Sequence, residues 1–282
     1  MKPTASRYLG ATAMLATMHG KESVIAPVFL ESLGLRVEVA NVDTDQFGTF
    51  SGETPRRLPQ VESAIAKARA AIEQTGAPLA IASEGTIGSH PVVPFVISDY
   101  ETVVFVDSEL DVVIHESYRS SDILNQRLEL SPGDDLRKFL VKADFPNHGL
   151  IVRNQEPGSE QVVKGIRDIA TLEQVISKLA GSSGKVTVET DLRASHCPSR
   201  MLNIAHCAKL LAQRISRECP SCSAPGWGNV EPIFGLPCVY CTTLVTTVVK
   251  SDQLGCFLCS YREQIDRQEK FSNPSSCPAC NP

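Results

Sequence analysis

Cys219-Pro-Ser-Cys222, Cys238-Val-Tyr-Cys241, Cys256-Phe-Leu-Cys259 and Cys277-Pro-Ala-Cys280 divide the 282-residue chain. They hold eight of its ten cysteines in four pairs, separated by 15, 14 and 17 residues. Each pair predicts a knuckle whose two sulfurs point at one metal, and two knuckles complete a tetrahedral site. The expectation is two structural zinc ions held by Cys219, Cys222, Cys238, Cys241, Cys256, Cys259, Cys277 and Cys280. Four thiolates fill each site, which leaves no open position for catalysis. A disulfide scaffold is the alternative, but Met1 to Gly20 has no long apolar stretch or small-residue cleavage site of a signal peptide, and thiols stay reduced in the cytosol. A cytoplasmic protein is therefore expected.

Spacing alone leaves sequential, nested and interleaved pairings of the knuckles open. The β-rich run Leu244–Lys250 between Cys241 and Cys256 resembles the inside of a zinc ribbon and favours one site shared by those two knuckles. Cys197 and Cys207 are left out of the metal count.

Upstream, from Tyr8 to about Arg217, short apolar runs alternate with amphipathic segments, the signature of an α/β domain. Predicted strands are Ala11–Ala16, Arg36–Val42, Leu79–Ala82, Val103–Val106, Val112–His115, Gly149–Val152 and Val186–Glu189, with the fourth and fifth forming a hairpin. Helical spacing is regular at Val61, Ala64, Ile65, Ala68, Ala71 and Ile72, and again from Met201 to Ile215. The expectation is a three-layer α/β domain with a mixed sheet at 1–216 and a zinc-ribbon-like module at 217–282. The two cores are read as separate, so metal removal should unfold only the tail.

A charged fraction of 21% and an apolar fraction of 42% describe an ordinary globular chain, and no apolar run is long enough for a membrane span. The net charge is −5, and the tail from Cys219 carries four basic residues (Lys250, Arg262, Arg267, Lys270) against five acidic ones. That balance disfavours nucleic acid as a partner, since backbone binding depends on Lys and Arg neutralising phosphates. A protein partner for the module stays open.

In an open α/β sheet, ligands bind beyond the carboxyl ends of the parallel strands. The loops expected there contain Thr17, His19 and Lys21 after the first strand; Asp43, Asp45, Glu53 and Arg56 after the second; Glu84 after the third; and Asp191, Arg193 and His196 after the last. Thr17, His19, Lys21, Arg56 and Arg193 are candidate phosphate contacts. Glu84, with Asp191 or Glu53, supplies the hard oxygens that Mg²⁺ prefers. The structural alternatives are that Thr17 to Lys21 starts a helix with Lys21 solvated, and that Asp43 and Asp45 are turn formers.

Several stretches resemble a family of bacterial proteins with a domain of unknown function and a cysteine-rich tail. They are Ala16-Thr-Met-His-Gly-Lys-Glu22, Asp43–Glu53, Ala82–Pro91, Glu189–Ala194 with Pro198–Met201, Pro225-Gly-Trp-Gly228 and Cys277–Pro282. The first hundred residues are also faintly similar to the house-cleaning pyrophosphatases that hydrolyse inosine and xanthosine triphosphates. That likeness implies a phosphate loop at Thr17/His19/Lys21, an arginine at Arg56 or Arg69, and a metal-binding acid at Glu84. His19 stands where that family has asparagine. The resulting expectation is a Mg²⁺-dependent nucleotide (pyro)phosphohydrolase acting on a phosphorylated small molecule, in which Glu84→Gln loses the metal and keeps the fold. The alternative is a non-catalytic nucleotide or ligand sensor whose zinc module docks a protein or nucleic-acid partner.

Overall fold

Two apolar faces on one sheet organise the larger domain. The computed structural model describes residues 7–48, 55, 57–131, 134–154, 161–180 and 184–282. Strand β1 (Thr12–Ala16) leads into helix α1 (Glu22–Leu33), β2 (Arg36–Ala40), α2 (Gln60–Thr75), β3 (Leu79–Ser89), β4 (Ile97–Asp107) and β5 (Val112–Ser120). The strands lie in the order β2-β1-β3-β4-β5. β1 is parallel to β2 and β3, whereas β3, β4 and β5 form an antiparallel meander.

Alternation along the strands assigns the faces. Leu15, Ile81 and Phe105 pack with Phe29 of α1 and with Ile204 and Leu211 of α5 (Pro198–Ile215). On the other face, Ala16, Ala80 and Ala82 meet Ala64, Ala68 and Ala71 of α2. Small residues on both sides let that helix lie close to the sheet. The result is the expected three-layer domain with a mixed sheet.

The predicted strands are not all in that sheet. Strands β6 (Arg127–Leu130), β7 (Leu150–Asn154), β8 (Val162–Ile166) and β9 (Val186–Thr190) form a second, wholly antiparallel sheet in the order β6-β9-β7-β8. Helices α3 (Arg137–Lys142) and α4 (Ile169–Ala180) cover it, with Phe139, Leu172 and Leu179 in a core of its own. The expectation that the loop after Val186–Glu189 opens at the same sheet edge as the first three is thus corrected. That loop reaches the first sheet because Ala194 packs into the main core just before α5.

Past α5 the chain forms β10 (Gly228–Pro237), β11 (Leu244–Gly255) and β12 (Arg262–Asp266), a third antiparallel sheet. Among the described residues no helix is long and apolar enough to cross a membrane.

Candidate functional site

The β10–β11 hairpin decides how the cysteines pair. Gly228 sits opposite Gly255 at its base and Pro237 opposite Leu244 at its tip. Knuckle 219/222 precedes the base and knuckle 256/259 follows it, so these four cysteines form one cluster. Knuckle 238/241 is the tip, where Cys238 bridges to Ser272 and the tail delivers knuckle 277/280 to form the second cluster. The pairing is interleaved, which corrects the expectation that Cys238/Cys241 and Cys256/Cys259 share a site. The 12-residue β11 holds those two knuckles roughly 35 Å apart.

Both clusters have the dimensions of a tetrahedral thiolate site. Sulfur separations are 3.8 Å (Cys219–Cys259), 3.6 Å (Cys222–Cys256), 3.9 Å (Cys238–Cys280) and 3.5 Å (Cys241–Cys277). Metal–sulfur bonds near 2.3 Å in a tetrahedron put sulfurs about 3.8 Å apart. A disulfide needs about 2 Å, and all ten cysteines are free. Backbone N–H groups of Leu258 and Cys259 point at Cys256 Sγ, at 3.3 and 3.4 Å, where they offset thiolate charge. Cys197 and Cys207 lie in neither cluster; both are buried, and the Cys207 thiol donates to the Glu101 and Glu116 carbonyls.

The base cluster is attached to the α/β domain. Phe257, inside its second knuckle, packs against the main core and under the Arg214 guanidinium, 4.8 Å from the ring centroid. Arg214 also donates to Gly226 O at 3.2 Å and Glu116 Oε1 at 2.7 Å. Gly226 lies against Ile114 of β5 with no room for a Cβ.

A polar cleft opens where β1, β2 and β3 end their parallel pairing. Its lining includes Thr17, His19 and Lys21 from the β1–α1 loop, Asp45 after β2, Ser83 and Glu84 of β3, Lys67 of α2, and Arg193 and Arg200. Thr17, His19, Lys21, Glu84 and Arg193 are thereby brought together. Asp191 is buried behind the lining, with both oxygens taken by Arg193 at 2.6 to 3.2 Å. Arg69 is exposed on α2 and does not line the cleft. Glu53 and Arg56 lie outside the described residues.

Glu84 does not follow a strand, because β3 runs on to Ser89. Strand alternation turns Glu84 toward α2, where it pairs with Lys67 and lies 3.4 Å from Ser63 Oγ. Ser83 faces the opposite side and accepts from Lys21 Nζ at 3.0 Å. The loop does start a helix, with Lys21 at its cap, yet Lys21 is buried, not solvated. Burial first, then the Arg200 charge, push its ammonium down to about 8. Burial and Lys21 also lower His19. Asp43 is a turn former, its Oδ1 accepting from Asp45 N at 3.0 Å.

Sequence reasoning missed the layer beneath. Arg200 pairs with Glu101 of β4, and Asn203 donates to Asp99 Oδ2 at 2.9 Å; Asp99, Glu101 and Arg200 are all buried. Gly85 is needed because a Cβ there would collide with both partners of the Glu101–Arg200 pair. The available signal was charge on a buried stripe. Lys67 falls among Ala64, Ala68 and Ala71, and Arg200 lies one turn before Ile204.

The molecule is thus an α/β domain with a basic cleft, carrying a module built on two four-cysteine clusters. The family described as "Domain of unknown function (DUF6671)" matches residues 67–282, and the chain belongs to it. No curated protein matches. The matched region contains Lys67, Glu84, Arg193, Arg200 and all the cluster cysteines, whereas Thr17, His19 and Lys21 precede it. The likeness to inosine and xanthosine triphosphate pyrophosphatases gains no support.

Proposed function

We propose that the cleft binds a phosphorylated small molecule, with nucleotides the first class to test, and that the cysteine module is a two-zinc structural element beside it. The observation that carries this reading is the convergence of Lys21, Lys67, Arg193 and Arg200 on one polar cleft. Guanidinium forks and ammonium groups match phosphate oxygens. Asp191 acts here by orienting Arg193. The cluster dimensions and all-thiolate donor set suit zinc and support that part of the reading.

Within the module Arg262 donates to the carbonyls of Cys256, Cys259 and Tyr261, and Arg267 grips Asp252 with two bonds. Two of the four basic side chains from Cys219 onward are therefore engaged internally, which supports the reading against nucleic acid.

Hydrolysis assisted by Mg²⁺ at Glu84 is a second reading, favoured by the carboxylate's place in the cleft. It requires Glu84 to exchange Lys67 for the metal. Binding of phosphate, pyrophosphate and nucleoside triphosphates, inosine and xanthosine forms included, would be followed by calorimetry with and without Mg²⁺. Anion binding is expected without Mg²⁺, and Lys21→Ala should weaken it by about tenfold or more, the loss of one charge-assisted hydrogen bond. Affinity should fall as pH rises through about 8, where Lys21 loses its proton, and binding near that pH should take up a proton. Glu84→Gln keeps or tightens binding on the anion reading and abolishes the Mg²⁺-dependent part of binding on the hydrolase reading. Because it strands Lys67, this substitution also costs about 3 kcal/mol of stability, unlike the silent change that the sequence implied. Binding equal in wild type and Lys21→Ala at pH 7 would remove the cleft from consideration.

A further inference from the structure

A second cluster lies outside the cleft, where the segment before β7 meets the first turn of α5. Asp144 Oδ2 lies 3.0 Å from His148 Nδ1, and His148 Nε2 lies 3.1 Å from Ser199 Oγ. We propose that Asp144, His148 and Ser199 form an acyl-transfer triad, with Ser199 the nucleophile toward small activated esters.

Hydrogen-bond inventory sets each proton. A carboxylate only accepts, so His148 Nδ1 carries the hydrogen and Nε2 is left as the acceptor. The Ser199 backbone N–H, which can only donate, also points at Nε2, at 3.4 Å. Leu124 N–H donates to Ser199 Oγ at 3.2 Å, and Cys197 Sγ lies 3.4 Å from the same oxygen; with the Cys197 S–H donating there, the hydroxyl hydrogen goes to His148. This is the tautomer a general base needs. Asn147 Nδ2 holds the other Asp144 oxygen at 3.0 Å, so the carboxylate is fixed at both ends.

Position favours the same chemistry. His148 is buried and Ser199 half-buried, in contact with solvent at the start of the 18-residue α5, whose positive end favours developing negative charge. The neighbouring Cys197 is buried, and burial pushes its thiol up, so the serine is the reactive group.

In the reaction Ser199 Oγ bonds to the acyl carbon as its proton passes to His148 Nε2. The ester C–O bond then breaks, and the departing alkoxide takes that proton. Water attacks the Ser199 ester, gives its proton to His148, and His148 returns it to Ser199 Oγ as the acid leaves. The net change is ester plus water to acid plus alcohol. Asp144 is a positioning residue. Partial exposure of Ser199 restricts the acyl group to a small one.

The test treats the metal-loaded full chain with a fluorophosphonate, in which Ser199 Oγ displaces fluoride, and maps the adduct by peptide mass spectrometry. 4-Nitrophenyl acetate turnover is followed in parallel. One adduct per chain on Ser199 is expected, absent after heat denaturation and absent in Ser199→Ala. His148→Gln should slow labelling by about 100-fold or more. Asp144→Asn should slow it without lowering the thermal midpoint, and Asp144→Glu should recover part of the rate; a structural contact alone would move the midpoint instead. An unlabelled folded wild type, an adduct on another residue, or wild-type labelling by folded His148→Gln overturns the proposal. Because labelling involves no cleft residue, its outcome is independent of anion binding.

Discussion

Cys256→Ser is expected to unfold the cysteine module and to lower the thermal midpoint of the α/β domain, whereas Cys280→Ser should loosen only the hairpin tip. In small domains built on all-thiolate zinc sites, each site typically contributes on the order of 10 kcal/mol of folding free energy. The two clusters differ in what lies beside them. Around the base cluster, Trp227 and Ala224 pack with Cys219 and Cys256, and Phe257 of the same knuckle reaches the main core beneath Arg214. Around the tip cluster the buried set is Cys238, Val245 and Cys277, with Tyr240 and Val239 exposed. Losing the base site therefore withdraws Phe257 from β5 and α5, and losing the tip site withdraws nothing from the α/β domain. Hydrogen exchange read separately over 112–120 and 204–215 checks this. Protection there should fall in Cys256→Ser and stay at the wild-type level in Cys280→Ser. Equal loss in both variants would mean that the module acts as one unit. Separate unfolding of the tail is therefore expected for the tip cluster and not for the base cluster, whose Phe257 reaches the main core.

Legibility in the sequence divides along physical lines. Strand and helix faces marked by uninterrupted apolar periodicity were legible: β1, α2 and α5 fall where Leu15, Ala64 and Ile204 put them. The cysteine knuckles were legible because ligand spacing is local. Their partnership was not, since it depends on a hairpin register that joins residues about thirty positions apart. β4 begins six residues before its first predicted residue because Asp99 and Glu101, which look like loop, alternate on the same face as Val103 and Phe105. Their charges are tolerated there only because α5 brings Arg200 and Asn203 to meet them. The cleft residues Thr17, His19, Lys21, Glu84 and Arg193 stand directly after apolar strand runs, where a ligand edge is expected. Lys67 and Arg200 come from helix faces that periodicity assigns to the core, so each required knowledge of its buried partner.

That partnership gives the other large effect. Arg200→Met is expected to destabilise the chain by about 3–5 kcal/mol near pH 8, the cost of leaving a buried carboxylate without its partner. Methionine keeps much of the length and packing, so the loss reports charge rather than a cavity. The effect should shrink toward pH 5. Burial first, then the Glu101 charge, raise Asp99 to about 7, well above its ordinary range, and the Asn203 hydrogen bond and then the Arg200 charge hold it down from going higher. Between about 4 and 7 the folded state therefore keeps a proton that the unfolded chain releases, and wild-type stability falls as pH rises through that window. Without Arg200, Asp99 holds its proton to higher pH, so the window extends upward and the variant loses more at pH 8 than at pH 5. Lys21 remains near Glu101 and keeps the loss toward the lower end of the range. Adding Glu101→Gln to Arg200→Met removes the stranded charge and should recover at least half of the loss. Urea unfolding of wild type and both variants at pH 5 and pH 8 measures all of these terms. Equal losses at both pH values, or a double variant no more stable than Arg200→Met, would show that Arg200 acts through packing and its bond to the Leu192 carbonyl.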